Sequence, residues 1–480
     1  MIHICTIGDG AAGLMAANFF ASRDYVSKVT HIGSSKIPSI GVGESTTLNF
    51  EILHKKFDDD FRSFILQSNA CVKTGVLYSN WSEREFLHFF KPENLFEKYN
   101  TTFIEYSNTL GNKSKDTYIH DIFGIKLYSD SKENKIPVLK EESYHGWSWH
   151  FDAGKYIAYL KNLLKRNQKK VTIIDDIVTN CSFKEKGEID FIGLESDQKI
   201  KADYYIIATG KSSDTAKIFD IKYHDLSDVL LTDKALFFPK PYVNKKAEMH
   251  PYTIAKTMKN GWRWITPTWS RVGTGYVFSS KHISVDDAIK EFQEDLGDES
   301  VVPNVVDFHP KYNKKTFNKN YMTLGMCNGF LEPLDAPGLS ISCSLSLMLD
   351  ELIQTKGCLT KCDENDNAEL NQHVSELYNG WAAFILTQYK TCHRNDTQFW
   401  IDHKNVKFDY LDKMMSALHN DIDDVPNSQI EVLTRDIIAM IQNTVASRNI
   451  NWKTNTNQIP LKLDDSGYKT INHYEFLANL

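Results

Sequence analysis

The sequence is short of most features that would tie it to a membrane, a nucleic acid or a disulfide scaffold. No apolar run approaches the roughly 20 residues that span a bilayer. The opening Ile2-His3-Ile4-Cys5-Thr6-Ile7 reads as a short strand, not as an apolar targeting stretch. There is no basic excess: 55 Lys and Arg against 62 Asp and Glu give a formal net charge of -7. No basic patch, stacking-aromatic motif or zinc-finger spacing points to nucleic acid. Cysteine is scarce, with eight in 480 residues. The closest pair, Cys358 and Cys362, has no second pair or histidine motif to complete a zinc site, so no metal is expected. All eight read as reduced thiols of a cytoplasmic protein. Internal repeats, low-complexity tracts and clear linkers are also lacking.

What is present fits a globular enzyme. The hydrophobic share of 41% and charged share of 24% are ordinary. Length alone allows about three domains. Aromatic residues, at 12%, would suit a pocket for a flat substrate, but aromatic cores are common enough that this decides little.

The first motif is Gly8-Asp9-Gly10-Ala11-Ala12-Gly13, directly after the strand and before an apolar helix starting near Leu14. A bare G-x-G-x-x-G is a weak signal; in strand–turn–helix context it points to a dinucleotide. The first glycine allows the tight turn, the second lets a pyrophosphate approach the backbone, and the third lets helix and strand pack closely. Phosphates then lie at the helix N-terminus. The carboxylate that usually holds the ribose hydroxyls belongs just after the second strand, Val29-Thr30-His31-Ile32. Gly33-Ser34-Ser35 stands there instead. This predicts weaker or rearranged ribose binding, with the Ser34 or Ser35 hydroxyl as a partial substitute.

Further along, Gly41-Val42-Gly43-Glu44-Ser45-Thr46 reads as a mobile loop entering a capped helix over about 48–68. Cys71 to Trp81 is an alternating β-branched and aromatic run, hence a strand, interrupted by Lys73. Lysines commonly sit on solvated strand faces, so this residue alone says little. Residues 83–145 read as an insertion covering a site. Asp152 caps an amphipathic helix. His150 beside it is more often a hydrogen-bonded packing residue than a catalyst. Buried strands are expected at Val171–Ile174 and Tyr204–Ile207. Residues 225–255 look irregular. Gly261-Trp262-Arg263-Trp264-Ile265-Thr266-Pro267 puts two tryptophans on one strand face. The last stretch, about 370–480, reads as mostly amphipathic helix.

Taken together these segments resemble the flavin-dependent halogenases, in particular the tryptophan-halogenase-like group. The likeness runs through Gly8–Gly13, Gly41–Thr46, Lys73 with Asn80-Trp81, and His150-Phe151-Asp152-Ala153. It continues through Gly261–Trp264 with Gly273–Val277, Glu332-Pro333-Leu334, Tyr389-Lys390, Arg394-Asn395-Asp396 and Phe399-Trp400. Matches in the right order over nearly the whole chain are far more specific than any one of them.

The resemblance implies an α/β chain, with a Rossmann-type FAD-binding fold interleaved with a mainly helical substrate-binding subdomain. Residues 1–82, 147–215 and 260–354 would form the FAD module. Residues 83–146, 216–259 and 355–480 would form the substrate-covering part. It implies reduced FAD supplied by a separate NAD(P)H-dependent flavin reductase, and a halide that becomes hypohalous acid. That acid would reach Lys73, which hydrogen-bonds it or becomes a haloamine, and a small indole- or phenol-like arene would be halogenated. The resemblance places the cofactor against Gly8, Gly10, Ala11, Ala12, Gly13, Gly43, Glu44, Ser45, Ile177, Gly325, Gly338 and Leu339. Trp262 and Trp264 would keep substrate from the flavin, and the Gly41–Thr46 loop would couple the two sites.

Elementary chemistry agrees. An amine held away from water gives up its proton more readily and can take up an electrophilic halogen. A nearby carboxylate can accept the proton lost by the arene. In the family that acid follows Glu-Pro-Leu; here Asp335 stands in its place, with Glu332 as the fallback. The family's Ser-Thr-Gly, whose last two N–H groups hold the halide, is Ala336-Pro337-Gly338, and Pro337 has no N–H. This predicts weaker chloride binding and a relative preference for bromide or iodide. Two other readings remain open: an aromatic monooxygenase, which would not need Lys73, and a flavin-binding protein without turnover. Oligomeric state is not readable.

Overall fold

The computed structural model describes residues 1–37, 44–82, 85–89, 131–137, 147–211, 213–357, 364–419 and 470–480. The chain divides into two units. Unit 1 comprises Met1–Ala70, Phe151–Asp225 and Pro310–Ser375; unit 2 comprises Cys71–His150, Leu226–His309 and Glu376–Leu480. The backbone therefore passes between units at five points, after residues 70, 150, 225, 309 and 375.

Unit 1 begins with the apolar run Ile2–Ile7, here β1. The glycine turn then hands the chain to α1, Ala11–Ala21, and on to β2, Val26–Gly33. Parallel strands buried on both faces are apolar throughout, and β1 fits: five of its six residues are buried. It lies at the centre of a six-stranded sheet in the order Phe317–Asn318, Tyr321–Thr323, Tyr204–Ile207, β1, β2, Val171–Asp175. All pairs are parallel except the first. Cys5, Ile7, Ile32, Tyr205 and Ile207 form the core beneath it. Helix α1 is buried nearly all round; Asn18, inside it, donates to Leu160 O at 3.1 Å on the helix Ala153–Arg166. Asp152 caps that helix as expected, accepting from Lys155 N at 3.0 Å.

The single helix expected over 48–68 is two, Leu48–Lys55 and Phe61–Ser68. The acidic run Asp58-Asp59-Asp60 breaks it: Asp60 accepts from Ser63 N at 2.9 Å and restarts the helix, a cap that contributes about 1 kcal/mol.

Unit 2 is built on a seven-stranded sheet in the order Asn304–Asp307, Lys234–Lys240, Val272–Phe278, Gly261–Pro267, Thr253–Met258, Gly75–Ser79, Phe86–Phe89. Only Thr253–Met258 with Gly75–Ser79 is parallel. Segments 71–82 and 260–309, read from sequence with the nucleotide fold, belong here because their strands pair with one another. The part expected to be mainly helical thus has a sheet as its centre, and 225–255, expected irregular, supplies the strand Lys234–Lys240. Helices Gln398–Asn405 and Asp409–His419 and a C-terminal strand and helix, Thr470–Asn472 and His473–Ala478, also belong to this unit. Most of the 83–145 insertion lies outside the described residues. Among the described residues no helix is long and apolar enough to cross a membrane.

Candidate active site

In unit 1 the glycine turn is shaped by contact with its own sheet. Gly8 has φ +119°, and a Cβ there would come within 2.1 Å of Ala208 O, so no other residue fits without moving backbone. Gly13 is equally confined, its Cβ position 2.2 Å from Gly8 O. Gly10 differs: a Cβ there would meet nothing within 4 Å. Gly10 is also the N-cap of α1 and supplies no side-chain cap. The first-turn N–H groups of Ala11, Ala12 and Gly13 thus face an uncapped helix end, which favours an anion. Gly325, at φ +65°, packs against the same turn, its Cβ position 3.0 Å from Ala12 Cβ. Ile177 follows the strand Val171–Asp175, which lies beside β2, and its carbonyl accepts from Glu195 N at 2.8 Å.

Asp9, inside the turn, reaches across to the end of β2. Its Oδ1 is 3.0 Å from His31 Nε2, and its Oδ2 accepts from Lys161 Nζ at 2.7 Å. Burial pushes this carboxyl up, but the hydrogen bonds from His31 and Lys161 outweigh it and hold the group at about 2. Ser34 Oγ accepts from Lys36 N at 3.3 Å.

The turn Glu332–Ala336 leads into the helix Pro337–Lys356. Glu332 and Asp335 are both buried. Asp335 and Ala336 have φ of +60° and +64°, two consecutive left-handed non-glycine residues. Such conformations cost roughly 1–3 kcal/mol each and gather at functional sites. Pro337 is the first helical residue, where its missing N–H is ordinarily harmless; Gly338 behind it is exposed, with open space around its α-carbon. Asn49 Nδ2 donates to Ser344 Oγ at 3.0 Å and ties this helix to Leu48–Lys55. Glu44 and Ser45 form a two-residue strand; Gly41, Val42 and Gly43 lie outside the described residues.

In unit 2 the expected strand 71–81 is broken at Thr74. Cys71–Lys73 pairs antiparallel with Ser148–Phe151, setting Lys73 opposite Ser148, while Gly75–Ser79 joins the large sheet. Thr74 makes the step by donating both its N–H and its hydroxyl to Pro251 O, each at 2.7 Å. Lys73 has no solvent exposure. The buried hydroxyl of Ser148 opposite it has no hydrogen-bond partner among the described residues. His150 Nε2 lies 2.8 Å from Thr253 Oγ1. Burial first, then the nearby charge of Lys73, push His150 well below the ordinary histidine value. It is a neutral packing histidine, the role its sequence context suggests.

Sequence reasoning missed His473. Val72 N donates to His473 Nε2 at 3.1 Å, and His473 Nδ1 lies 3.1 Å from Met249 O. Accepting on one nitrogen and donating from the other requires the neutral ring. Burial lowers the group to about 4. This histidine fixes the backbone of the residue before Lys73, and no local signal marks it.

Trp262 and Trp264 share a face of Gly261–Pro267, their rings 6.3 Å apart. Arg263 points the other way, to Asp295 Oδ2 at 2.5 Å and Thr274 Oγ1 at 2.9 Å. The end of the Lys73 segment is anchored by Trp81, whose Nε1 donates to Ala255 O at 2.9 Å. Its ring meets Trp400 edge-on at 5.4 Å, so Trp81, Tyr389, Phe399 and Trp400 form one aromatic block. The described cysteines Cys5, Cys71, Cys181, Cys327, Cys343 and Cys392 are free. No group of three or more metal-ligating side chains occurs among the described residues.

Fold and site together define an α/β protein with a Rossmann-type nucleotide sheet in one unit and a buried lysine and paired tryptophans in the other. A family model described as tryptophan halogenase matches residues 3–439, and the chain belongs to that family. It is 24% identical over 428 residues to tryptophan 7-halogenase RebH of Lentzea aerocolonigenes, covering 84% of this chain and 79% of the relative. It is 25% identical over 429 residues to tryptophan 6-halogenase ThaL of Streptomyces albogriseolus, with the same coverage of 84% and 79%. The crystal structure of a tryptophan halogenase from Shewanella frigidimarina superposes with a TM-score of 0.81 at 21% identity, covering 100% of this chain and 92% of that one. At that identity the likeness establishes the fold. Family membership supports flavin-dependent halogenation of an aromatic substrate, implies FAD and a halide, and does not favour the monooxygenase alternative.

Proposed function

We propose that this chain halogenates a small electron-rich arene, indole- or phenol-like, with Lys73 as the residue that delivers the halogen. The observation that carries the reading is a lysine with no solvent exposure on a strand, in a chain of this family. Burying an ammonium is expensive, and its complete burial sets Lys73 apart from the solvated lysines usual on strand faces.

The residues of unit 1 fit FAD: an uncapped helix N-terminus, an open approach at Gly10, and confined glycines on either side. Gly8, Gly10, Ala11, Ala12 and Gly13 would hold the pyrophosphate. Gly43, Glu44, Ser45, Ile177, Gly325, Gly338 and Leu339 would complete the cradle. Reduced FAD, supplied by an NAD(P)H-dependent reductase, gives the reducing equivalents that with oxygen and halide yield hypohalous acid. The Lys73 amine holds that electrophile. As the new carbon–halogen bond forms, Asp335 accepts the arene proton, with Glu332 as the alternative acceptor. Trp262 and Trp264 keep the arene away from the flavin. Gly338 supplies the halide N–H that Pro337 lacks, so bromide or iodide, which desolvate more readily, are used in preference to chloride.

The test is a panel of indoles and phenols incubated with the protein, a flavin reductase, NADH, FAD and each halide, read by mass spectrometry. Mono-halogenated product that depends on halide and reductase is expected. Hydroxylated product in its place would overturn the reading, as would chlorination faster than iodination for the halide order.

A further inference from the structure

We propose that Asp9 replaces the carboxylate missing from the end of β2, and that it is the residue that holds the adenosine ribose. The inference rests on the FAD reading of unit 1. In a dinucleotide fold, an acid at the end of the second strand accepts hydrogen bonds from the ribose hydroxyls. Here that strand ends in Gly33. The space above Gly33 is not vacant, however. A Cβ on Gly33 would come within 2.1 Å of Asp9 Oδ1, 2.2 Å of its Cγ and 2.5 Å of its Oδ2. The Asp9 carboxylate therefore occupies the volume a side chain at the end of β2 would begin to fill. Any residue larger than glycine at position 33 would expel it.

The carboxylate is aimed, not merely accommodated. His31, two residues earlier on β2, holds Oδ1, and its other ring nitrogen is itself fixed 2.8 Å from Thr6 Oγ1 on β1. Lys161, from the helix Ala153–Arg166, holds Oδ2. Side chains from β2 and from the helix Ala153–Arg166 thus hold one carboxylate, and β1 braces the first of them through Thr6. The Asp9 side chain stays 18% exposed, so a ligand can reach it. A carboxylate offers about four acceptor sites, which is compatible with a bound diol alongside these partners. Ser34 and Ser35 are poorer candidates. The Ser34 hydroxyl serves Lys36 N, and the Ser35 backbone is drawn to Asp175 Oδ1 at 2.7 Å. The chain thus has an acid inside the glycine turn and none at the strand end, where the dinucleotide fingerprint places it.

The experiment is titration calorimetry of the full chain with FAD, ADP and 2′,3′-dideoxy-ADP. The wild type should bind ADP about tenfold more tightly than the dideoxy compound, the size of a charge-assisted hydrogen bond. Asp9→Asn should bind the two alike, at the level of wild type with dideoxy-ADP. The double variant Asp9→Gly with Gly33→Glu should regain the preference. A wild type that binds FAD without distinguishing the two diphosphates would overturn this inference alone. So would an Asp9→Asn protein that keeps the preference or weakens both ligands equally, the mark of a purely structural role. If Asp9→Asn does not fold, the double variant decides by regaining or failing to regain the preference. A wild type that binds neither FAD nor ADP would instead sink the FAD reading itself.

Discussion

The indole of Trp264 lies directly over the α-carbon of Gly275 on the neighbouring strand: a Cβ there would sit 2.1 Å from Trp264 Cη2 and 2.2 Å from Leu236 O. Gly275 is thus the floor that lets Trp264 lie where it does. Gly275→Ala should destabilise by about 1–3 kcal/mol, as overpacking does, and should shift the tryptophan emission. If the tryptophan pair screens the arene from the flavin, the same variant should raise hydroxylated or uncoupled product relative to halogenated product. Unchanged emission and melting temperature would show that the sheet absorbs the methyl and that the floor is dispensable.

Lys73→Ala should lose halogenation by about 100-fold or more, the range for removing a proton-transfer or relay group, while FAD affinity measured by fluorescence quenching stays unchanged. Asp335→Asn and Glu332→Gln separate the two candidate bases, since only the true base should lower kcat on this scale with KM little changed. Retained halogenation in Lys73→Ala would contradict the relay.

The turn before the helix Pro337–Lys356 makes a different prediction. Pro337→Thr restores a backbone N–H at the helix start. A hydrogen bond to an anion is worth about 1.5–3 kcal/mol, so the chloride KM should fall about tenfold or more and the chloride-to-iodide rate ratio should rise. A ratio that does not move would locate the halide elsewhere.

Acid should destabilise the fold before its carboxylates titrate. Burial holds His54 and His473 at about 4 and His403 at about 3, so all three stay neutral in the fold. The unfolded chain takes up those protons near pH 6.5. Depressed histidine values contribute stability that is complete above pH 6.5 and is lost as the pH falls towards 4, at about 1 kcal/mol per pH unit for each residue. Urea midpoints at pH 7, 6 and 5 should fall in step, and His54→Phe, in its surrounding of Phe50, Phe64 and Tyr156 rings, should make the decline shallower. A flat profile would mean the histidines are reached by water.

The features legible in the sequence are those written in neighbouring residues. The glycine turn, the paired tryptophans and the Asp152 cap depend on spacing alone, and the structure has them where the spacing puts them. Lys73 on a strand was legible too, but the break at Thr74 was not, because Pro251, which accepts both of its hydrogen bonds, lies 177 residues away. His473 acts on Val72 from 401 residues away. The strand Lys234–Lys240 has a proline and no clean alternation, and becomes a strand only through its neighbours on either side. The part played by Asp9 is not legible in the glycine motif, since the direction of a side chain in a turn is set by the sheet behind it, here by His31 and Lys161.

The five passages of the backbone between the two units bear on how such a protein can diversify. Unit 2 cannot be lifted out of one relative and grafted into another as a single cassette. Each exchange would need five matched joints, one at every passage, one of them two residues before Lys73. The long segment between the strand at Phe86–Phe89 and that at Lys135–Pro137 lies within one stretch of unit 2, so a change of length there disturbs none of those crossings.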